Sequence, residues 1–390
     1  MTTSPQADRE PAATAAAEPA NVPLWEEGGW TDLPRLEGEV EADVCVVGLG
    51  GSGLACVGEL LRLGARVVGV DAHAVAGGAA GRNGGFLLAG SYHFHHHAAR
   101  EYGRDRARSI YRLTLEEMDR MEAETPEAVR REGSLRIAAS AEEEEDCRAQ
   151  LAVMREDALP AEWYEGPEGR GLLIPTDGAF QPLVRARALA RRALEGGARL
   201  YEQSPAVLMS GTEVRTPNGR VRCGRVVVAV DGRLERLMPS LAGRVRTARL
   251  QMLATAPAPE VCFPRPVYLR WGYEYFQQLA DGRIALGGFR DQGGDGEWTD
   301  DAAPSDTVQR FLEDFLRDRL GVRAPVTHRW AASVSYTPDG LPVFEEPEPG
   351  LWLIGGYSGT GNVIGALCGR AAAQLAMRGS SDLARPFMRP

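Results

Sequence analysis

Residues 43–71 read DVCVVGLGGSGLACVGELLRLGARVVGVD, and this stretch decides the fold. Residues 43–47 are a continuous apolar run, the pattern of a strand covered on both faces. Residues 54–63 have helical character, and residues 66–70 make a second buried strand that ends at Asp71. Together they form a βαβ unit of about thirty residues. Between strand and helix stands Gly48-Leu49-Gly50-Gly51-Ser52-Gly53, which matches G-x-G-x-x-G. Gly48 permits the tight turn, Gly50 lets a pyrophosphate approach the backbone, and Gly53 lets the helix pack on the strand. Gly51 and Ser52 open a helix whose free N–H groups and partial positive charge suit a diphosphate. Asp71, followed by Ala72, is placed to accept hydrogen bonds from ribose hydroxyls, and a carboxylate there disfavours a 2′-phosphate.

Before this unit, residues 1–24 are rich in Ala and Pro and read as a disordered tail. They lack the basic start and apolar stretch of a signal peptide. The most apolar region, 44–63, is interrupted by glycines, Glu59 and Arg62, so no membrane span is expected and a cytoplasmic location is. The 390 residues are too many for one simple core and suggest two domains. A net charge of −10 argues against a nucleic-acid partner, which wants basic stripes. The chain contains no lysine, which removes Schiff-base, Walker-lysine and lysine-base chemistry. Cys45, Cys56, Cys147, Cys223, Cys262 and Cys368 are scattered without a C-x-x-C, as expected of reduced thiols and not of a zinc site.

Further along, residues 102–124 read as a helix with Ile110, Leu113, Met118 and Met121 on one face, and 142–146 as a solvated acidic helix face. Residues 183–194 are a helix ended by Gly196-Gly197. Strands follow at 206–209, 213–216 and 221–230, with Pro217-Asn218-Gly219 as a hairpin turn. Residues 250–255, 267–271, 273–279 and 283–288 read as a second, antiparallel sheet. Residues 308–320 read as an amphipathic helix with Phe311 inward. Strand 351–355, a glycine turn and helix 363–377 close the chain. The expected fold is α/β: a Rossmann-like dinucleotide-binding domain of discontinuous segments with an inserted α+β substrate domain containing an antiparallel sheet. The segments are 25–100, 171–245 and 326–385 for the first domain, and 101–170 and 246–325 for the second.

Flavin and nicotinamide dinucleotides both use the first turn, and two other loops favour FAD. One is Gly81-Arg82-Asn83-Gly84-Gly85, along which an isoalloxazine would extend. The other is Gly355-Gly356-Tyr357-Ser358-Gly359-Thr360-Gly361, where a second helix start offers N–H groups and positive potential to the flavin N1–C2=O region. With these blocks in view, the chain resembles the D-amino-acid-oxidase-like flavoproteins, the group of sarcosine and glycine oxidases, and its GRNGG loop looks most like the γ-glutamylputrescine oxidase branch. The resemblance rests on EADVCVVGLGGSGL (41–54), AAGRNGG (79–85), YTPDGLPVF (336–344) and GGYSGTGNVIGALCGR (355–370). It implies FAD, an amine or amino-acid substrate, and reoxidation by oxygen. It also implies ADP contacts at Gly48, Gly50, Gly53 and Asp71, adenine-side positions at Val207 and Ala229, and flavin contacts from Arg82, Asn83 and Gly84. Gly359, Thr360 and Gly361 would meet the ring, flanked by Gly356 and Asn362.

The chain departs from that family in three places. Residues 330–335 hold no cysteine for covalent attachment, so FAD is expected to bind non-covalently. Thr360 stands where some members carry histidine. Val363 stands where sarcosine oxidases carry a carboxylate-binding lysine.

Amine oxidation by flavin needs little acid–base machinery: a neutral amine presents its α-C–H to flavin N5, and an apolar aromatic pocket favours that neutral form. Residues 270–275 read as one strand whose alternation puts Trp271, Tyr273 and Tyr275 on a pocket-facing side. Arg290 is placed to bind a carboxylate bidentately. His93, His95, His96 and His97 follow the GRNGG loop. No second cluster or carboxylate group supports a metal site, so an exposed or flavin-proximal loop is expected, with no metal and with an imidazole placed to line the substrate entrance. Ser358 lacks the G-x-S-x-G spacing of a hydrolase elbow. A flavin dehydrogenase using a quinone or other carrier, and an NAD-linked dehydrogenase, remain the alternatives.

Overall fold

The structure is a computed structural model that describes residues 21–26 and 29–389. Its centre is a six-stranded sheet in the order Arg199–Tyr201, Val67–Val70, Val44–Val47, Arg225–Ala229, Leu351–Gly355, Val343–Glu348. The first five strands are parallel and the sixth is antiparallel. Side chains alternate across this sheet. Val44, Val46, Val227 and Ile354 face a layer of helices, among them Gly51–Arg62 and Ile364–Arg378. Cys45, Val47, Val226 and Leu353 face the other way. There the cover is a four-stranded sheet built from Gly38–Glu41, Gly219–Arg222, Glu213–Arg215 and Leu208–Ser210. The strand order reverses between Val44–Val47 and Arg225–Ala229, the place where an open α/β sheet leaves a crevice at its carboxyl edge.

The second large sheet has eight strands. It is antiparallel except where Val267–Leu269 runs parallel to Ser134–Ile137. It takes in Gly169–Ile174 and Val326–Tyr336, of which sequence reading gave 171–174 and 326–336 to the dinucleotide-binding segments. A three-stranded ribbon, Phe86–Leu87, Gly178–Phe180 and Val129–Arg130, lies between the two sheets in chain order.

Several local expectations are corrected. Of the tail expected over 1–24, residues 1–20 lie outside the described residues. Residues 21–24 are packed: Leu24 is 2% exposed, and the Asn21 amide binds the Ala302 carbonyl. Strand 221–230 is two strands in two different sheets, because the amides of Gly224 and Arg225 both bind the Asp43 carbonyl and turn the chain. Residues 270–275 are not one strand. Arg270–Gly272 is a tight turn with φ of +45°, +55° and +88°, after which Glu274–Gln278 resumes the sheet. Ion pairs from Arg270 to Glu274 and Asp291 hold that turn, and Glu143 accepts the Trp271 amide at 2.7 Å. The acidic run is therefore not wholly solvated, since Glu143 is fully buried. Helix Asp306–Asp314 widens into a π-turn over Phe315–Arg319, and Phe311 is 37% exposed, stacked on Phe289 instead of entering the core.

Candidate active site

The first glycine turn sits at the carboxyl edge of Val44–Val47. Gly48 has φ +98° and donates to the Val70 carbonyl at 2.8 Å. A Cβ on Gly48 would fall 2.6 Å from the Ala229 carbonyl oxygen, and one on Gly53 would fall 1.8 Å from the Gly48 oxygen. Only hydrogen fits at either position. Helix Gly51–Arg62 has Gly50 at its N-cap and no side-chain cap, so its first-turn amides are left for whatever occupies the space in front. Asp71 accepts the Leu49 amide at 2.7 Å and the His73 amide at 2.8 Å. Burial outweighs those bonds and holds its carboxyl above the usual range.

The second loop is ordered by Asn83. Its amide donates to the carbonyls of Ala79 and Ala80, while its carbonyl accepts the Gly85 amide at 2.8 Å. The indole of Trp25 donates to the backbone carbonyl of Asn83 at 2.7 Å. Arg82 donates to the Ala331 carbonyl and to Asn21, so the segment at 21–25 straps this loop to strand Val326–Tyr336. The third loop, before helix Ile364–Arg378, has positive φ at Gly356, Ser358 and Gly359. Asp231, at the end of strand Arg225–Ala229, braces it. Its carboxylate accepts the Tyr357 amide at 2.9 Å and the Ser335 amide at 3.3 Å. This last helix also has no side-chain cap.

All three loops open into one cavity of about 1180 Å³. Gly48, Gly50, Gly51, Ser52, Asp71, Ala72 and Ala229 line one part of it. Arg82, Asn83, Gly84, Gly359, Thr360, Gly361 and Asn362 line another, and so do Tyr275 of the eight-stranded sheet and, just beyond its strand ends, Tyr273 and Arg290. Gly53, Gly81, Gly85 and Gly356 are not on its surface. They shape the loops from behind: a Cβ on Gly81 would meet the Ala76 carbonyl oxygen at 2.4 Å, and one on Gly85 that of Phe180 at 2.4 Å. Val207 is a correction. It is 64% exposed and off the cavity, because its amide is tied to the Arg215 carbonyl, and Ser204, Pro205 and Ala206 line the wall instead.

A family profile described as FAD dependent oxidoreductase matches residues 43–375. The chain belongs to that family. It is 27% identical over 389 residues to a protein named probable oxidoreductase OrdL from Rhizobium meliloti, covering 90% of this chain and 86% of that one. It is also 27% identical over 386 residues to the gamma-glutamylputrescine oxidoreductase of Escherichia coli, covering 90% and 87%. Among solved structures, glycine oxidase from Geobacillus kaustophilus superposes with a TM-score of 0.72 at 22% identity, covering 90% of this chain and 99% of that one. L-amino acid deaminase from Proteus myxofaciens gives 0.71 at 19%, covering 95% and 97%. These two likenesses concern the fold.

The enzyme's own residues fit FAD. Two uncapped helix starts, far apart in sequence, face one cavity, and the glycines between them leave room that any Cβ would fill. None of the six free cysteines lines that cavity. Among the described residues no helix is long and apolar enough to cross a membrane.

In this oxidoreductase one wall of the cavity is aromatic. Tyr275 packs edge-on against Phe86 at 5.7 Å and lies over Gly84, whose Cβ would come 2.9 Å from the tyrosine ring. Burial pushes its hydroxyl far above the usual range, so it stays protonated. The Arg290 guanidinium stands 4.7 Å from the Trp298 ring centroid, 5.0 Å from Tyr336 and 6.0 Å from Tyr273. No carboxylate among the described residues pairs with it, whereas Arg270 nearby is held by two. Asn21, Asp231 and Trp298 carry no local motif and were not singled out from sequence, and Tyr336 entered only as the first residue of the YTPDGLPVF block.

Of the two alternatives for the histidine run, the exposed loop is corrected, while His93, His95 and His97 line the cavity. His95 begins helix His95–Tyr102, and His95 and His96 are buried, not exposed. Each has an acidic partner distant in sequence: Asp157 lies 2.6 Å from His95, and Asp146 lies 2.9 Å from His96 and 3.0 Å from His97. Ligand atoms of His96, His97 and Asp146 lie within 4.8 Å of one another. The Arg136 guanidinium is 2.6 Å from the same Asp146 carboxylate and already balances its charge, and burial lowers the pKa of both His96 and His97, so the cluster reads as one ion pair with neutral imidazoles beside it.

Proposed function

We propose that this enzyme oxidises a C–N bond of an amine or amino acid, by hydride transfer to non-covalently held FAD and with oxygen as the final acceptor. Bound FAD supplies the two-electron acceptor. The chain's residues supply position and solvent exclusion. Tyr275 and Tyr273 offer an apolar face against which the substrate chain packs, and desolvation there favours the neutral amine. Arg290 binds a substrate carboxylate bidentately. The observation that carries this reading is Arg290 itself: a guanidinium on the cavity wall, ringed by aromatic faces and without a carboxylate of its own. Buried and half-buried charges are normally paired, so a ligand anion is the natural partner. The names of two relatives, a gamma-glutamylputrescine oxidoreductase and a glycine oxidase, support the substrate class.

The test is anaerobic mixing of holoenzyme with a panel of amines and amino acids. Bleaching of the flavin band by at least one member is expected, and peroxide on readmitting air. A flavin that no amine reduces overturns the reading. Reduction without peroxide assigns the electrons to a quinone or other carrier. Acid precipitation is expected to leave the flavin in the supernatant.

A further inference from the structure

Asp177 lies in the turn between strands Gly169–Ile174 and Gly178–Phe180, is 2% exposed, and lines the same cavity as the glycine turns. Its carboxylate accepts the Ala89 amide at 3.0 Å and the Ser134 hydroxyl at 2.7 Å. No cation among the described residues pairs with it. Arg131, whose charge reaches it, is bound to Asp119 at 3.2 Å and approaches Glu122 at 3.8 Å. Burial pushes the Asp177 carboxyl up to about 7. A buried carboxylate without a counter-ion is costly unless a cation arrives or a proton binds.

Its surroundings suit a cation. Tyr111, on helix Arg104–Glu124, and Tyr268, on strand Val267–Leu269, are both buried, line the cavity and lie within electrostatic reach of Asp177. The Tyr111 hydroxyl has no hydrogen-bond partner among the described residues, and its ring is fixed edge-on to His95 at 5.5 Å. Tyr268 stacks on Phe94 at 6.3 Å. A carboxylate beside aromatic rings attracts an ammonium by both charge and ring quadrupole.

We propose that Asp177, with Tyr111 and Tyr268, is a subsite for a second, non-reacting ammonium group of the substrate. This rests on the amine-oxidation reading above. The nitrogen undergoing oxidation must be neutral, so an ammonium that a carboxylate keeps charged is a different one. The substrate class is then an amine with a second basic nitrogen, such as an alkane diamine or a basic amino acid.

The experiment compares an alkane diamine with the monoamine of equal chain length, using the perturbation of the flavin spectrum of anaerobic holoenzyme as the binding readout. The diamine is expected to bind about ten- to a hundredfold more tightly, the range of a hydrogen bond to a charged group. Asp177→Asn is expected to collapse that ratio to near one. Equal affinity for the two amines in the wild type, or an unchanged ratio in Asp177→Asn, overturns the proposal. If Asp177→Asn does not fold, Tyr111→Phe is read instead: a severalfold smaller ratio supports the subsite and an unchanged ratio overturns it. Diamine-selective binding without flavin reduction leaves the subsite standing and removes the oxidation reading. Reduction without diamine preference does the reverse.

Discussion

The side-chain amide of Asn362 donates to the carbonyl oxygen of the Asn83 side chain at 3.2 Å and to the Phe86 backbone carbonyl at 2.9 Å. The loop after the second strand and the turn before the last helix are thereby joined, although 279 residues separate the two asparagines. Both loops line the cavity, so their relative position sets the shape of its wall.

Asn362→Ala is expected to weaken FAD binding about tenfold, the loss of one or two hydrogen bonds, with little change in secondary structure. Asn83→Ala is expected to do more, because Asn83 also ties Ala79, Ala80 and Gly85 within its own loop. Flavin fluorescence on dilution measures both. Equal retention in wild type and both variants would remove the link from the account.

Gly53 and Gly51 separate packing from binding. Gly53→Ala places a methyl 1.8 Å from the Gly48 oxygen, so the first helix must shift, at a cost of at least about 3 kcal/mol of stability. A Cβ on Gly51 meets nothing within 4 Å, and an alanine in a helix is favoured over glycine by up to about 1 kcal/mol. Gly51→Ala is therefore expected to leave the melting temperature of flavin-free protein equal or higher. It should weaken FAD retention, because the methyl points into the cavity. Thermal melts with and without FAD check both statements.

Arg290→Gln is expected to raise KM for carboxylate-bearing substrates about ten- to a hundredfold, with a smaller change in kcat, since the contact is made in ground and transition states alike. Amines without a carboxylate should show no such rise. Arg290→Lys should rescue only part of the loss, because an ammonium lacks the forked donor geometry. Steady-state kinetics on a matched amino acid and amine decide it. An equal rise for both substrates would assign Arg290 a packing role instead.

Burial pushes the Asp231 carboxyl up to about 6 from an ordinary 3.8, against the amide bonds it accepts. The folded chain thus retains a proton that the unfolded chain releases. The protonated fold keeps its full advantage below about pH 4, loses it between about pH 4 and 6, and has none above; the span corresponds to about 3 kcal/mol. Asp231→Asn cannot lose a proton. The stability of wild type relative to that variant should therefore fall as pH rises through this window. Denaturant melts at several pH values measure the difference, and parallel curves would show that Asp231 does not titrate there.

The local parts of this protein were legible in its sequence. Hydrogen-bonded turns, buried strands and helix starts make demands that a few adjacent residues meet, so Gly48, Gly53 and Asp71 declared the dinucleotide turn, and the glycines at 81–85 and 355–361 declared the loops around it. The walls of the cavity were legible only in part: Tyr273, Tyr275 and Arg290 were read from the sequence and line it, whereas Asp177, Asp231 and Ser204 were not. Whether a side chain reaches that space depends on which strands neighbour one another, and those come from opposite ends of the chain. Val207 turned outward because its amide is held by Arg215. The stretch 270–275 broke into a turn because Glu143, Glu274 and Asp291 converge on it. Asn21, Asp177 and Asp231 acquired their places only when segments separated by up to hundreds of residues packed together. Local backbone chemistry is written in consecutive residues; the burial and pairing of charge are decided by distant ones, and only the folded chain brings those into contact.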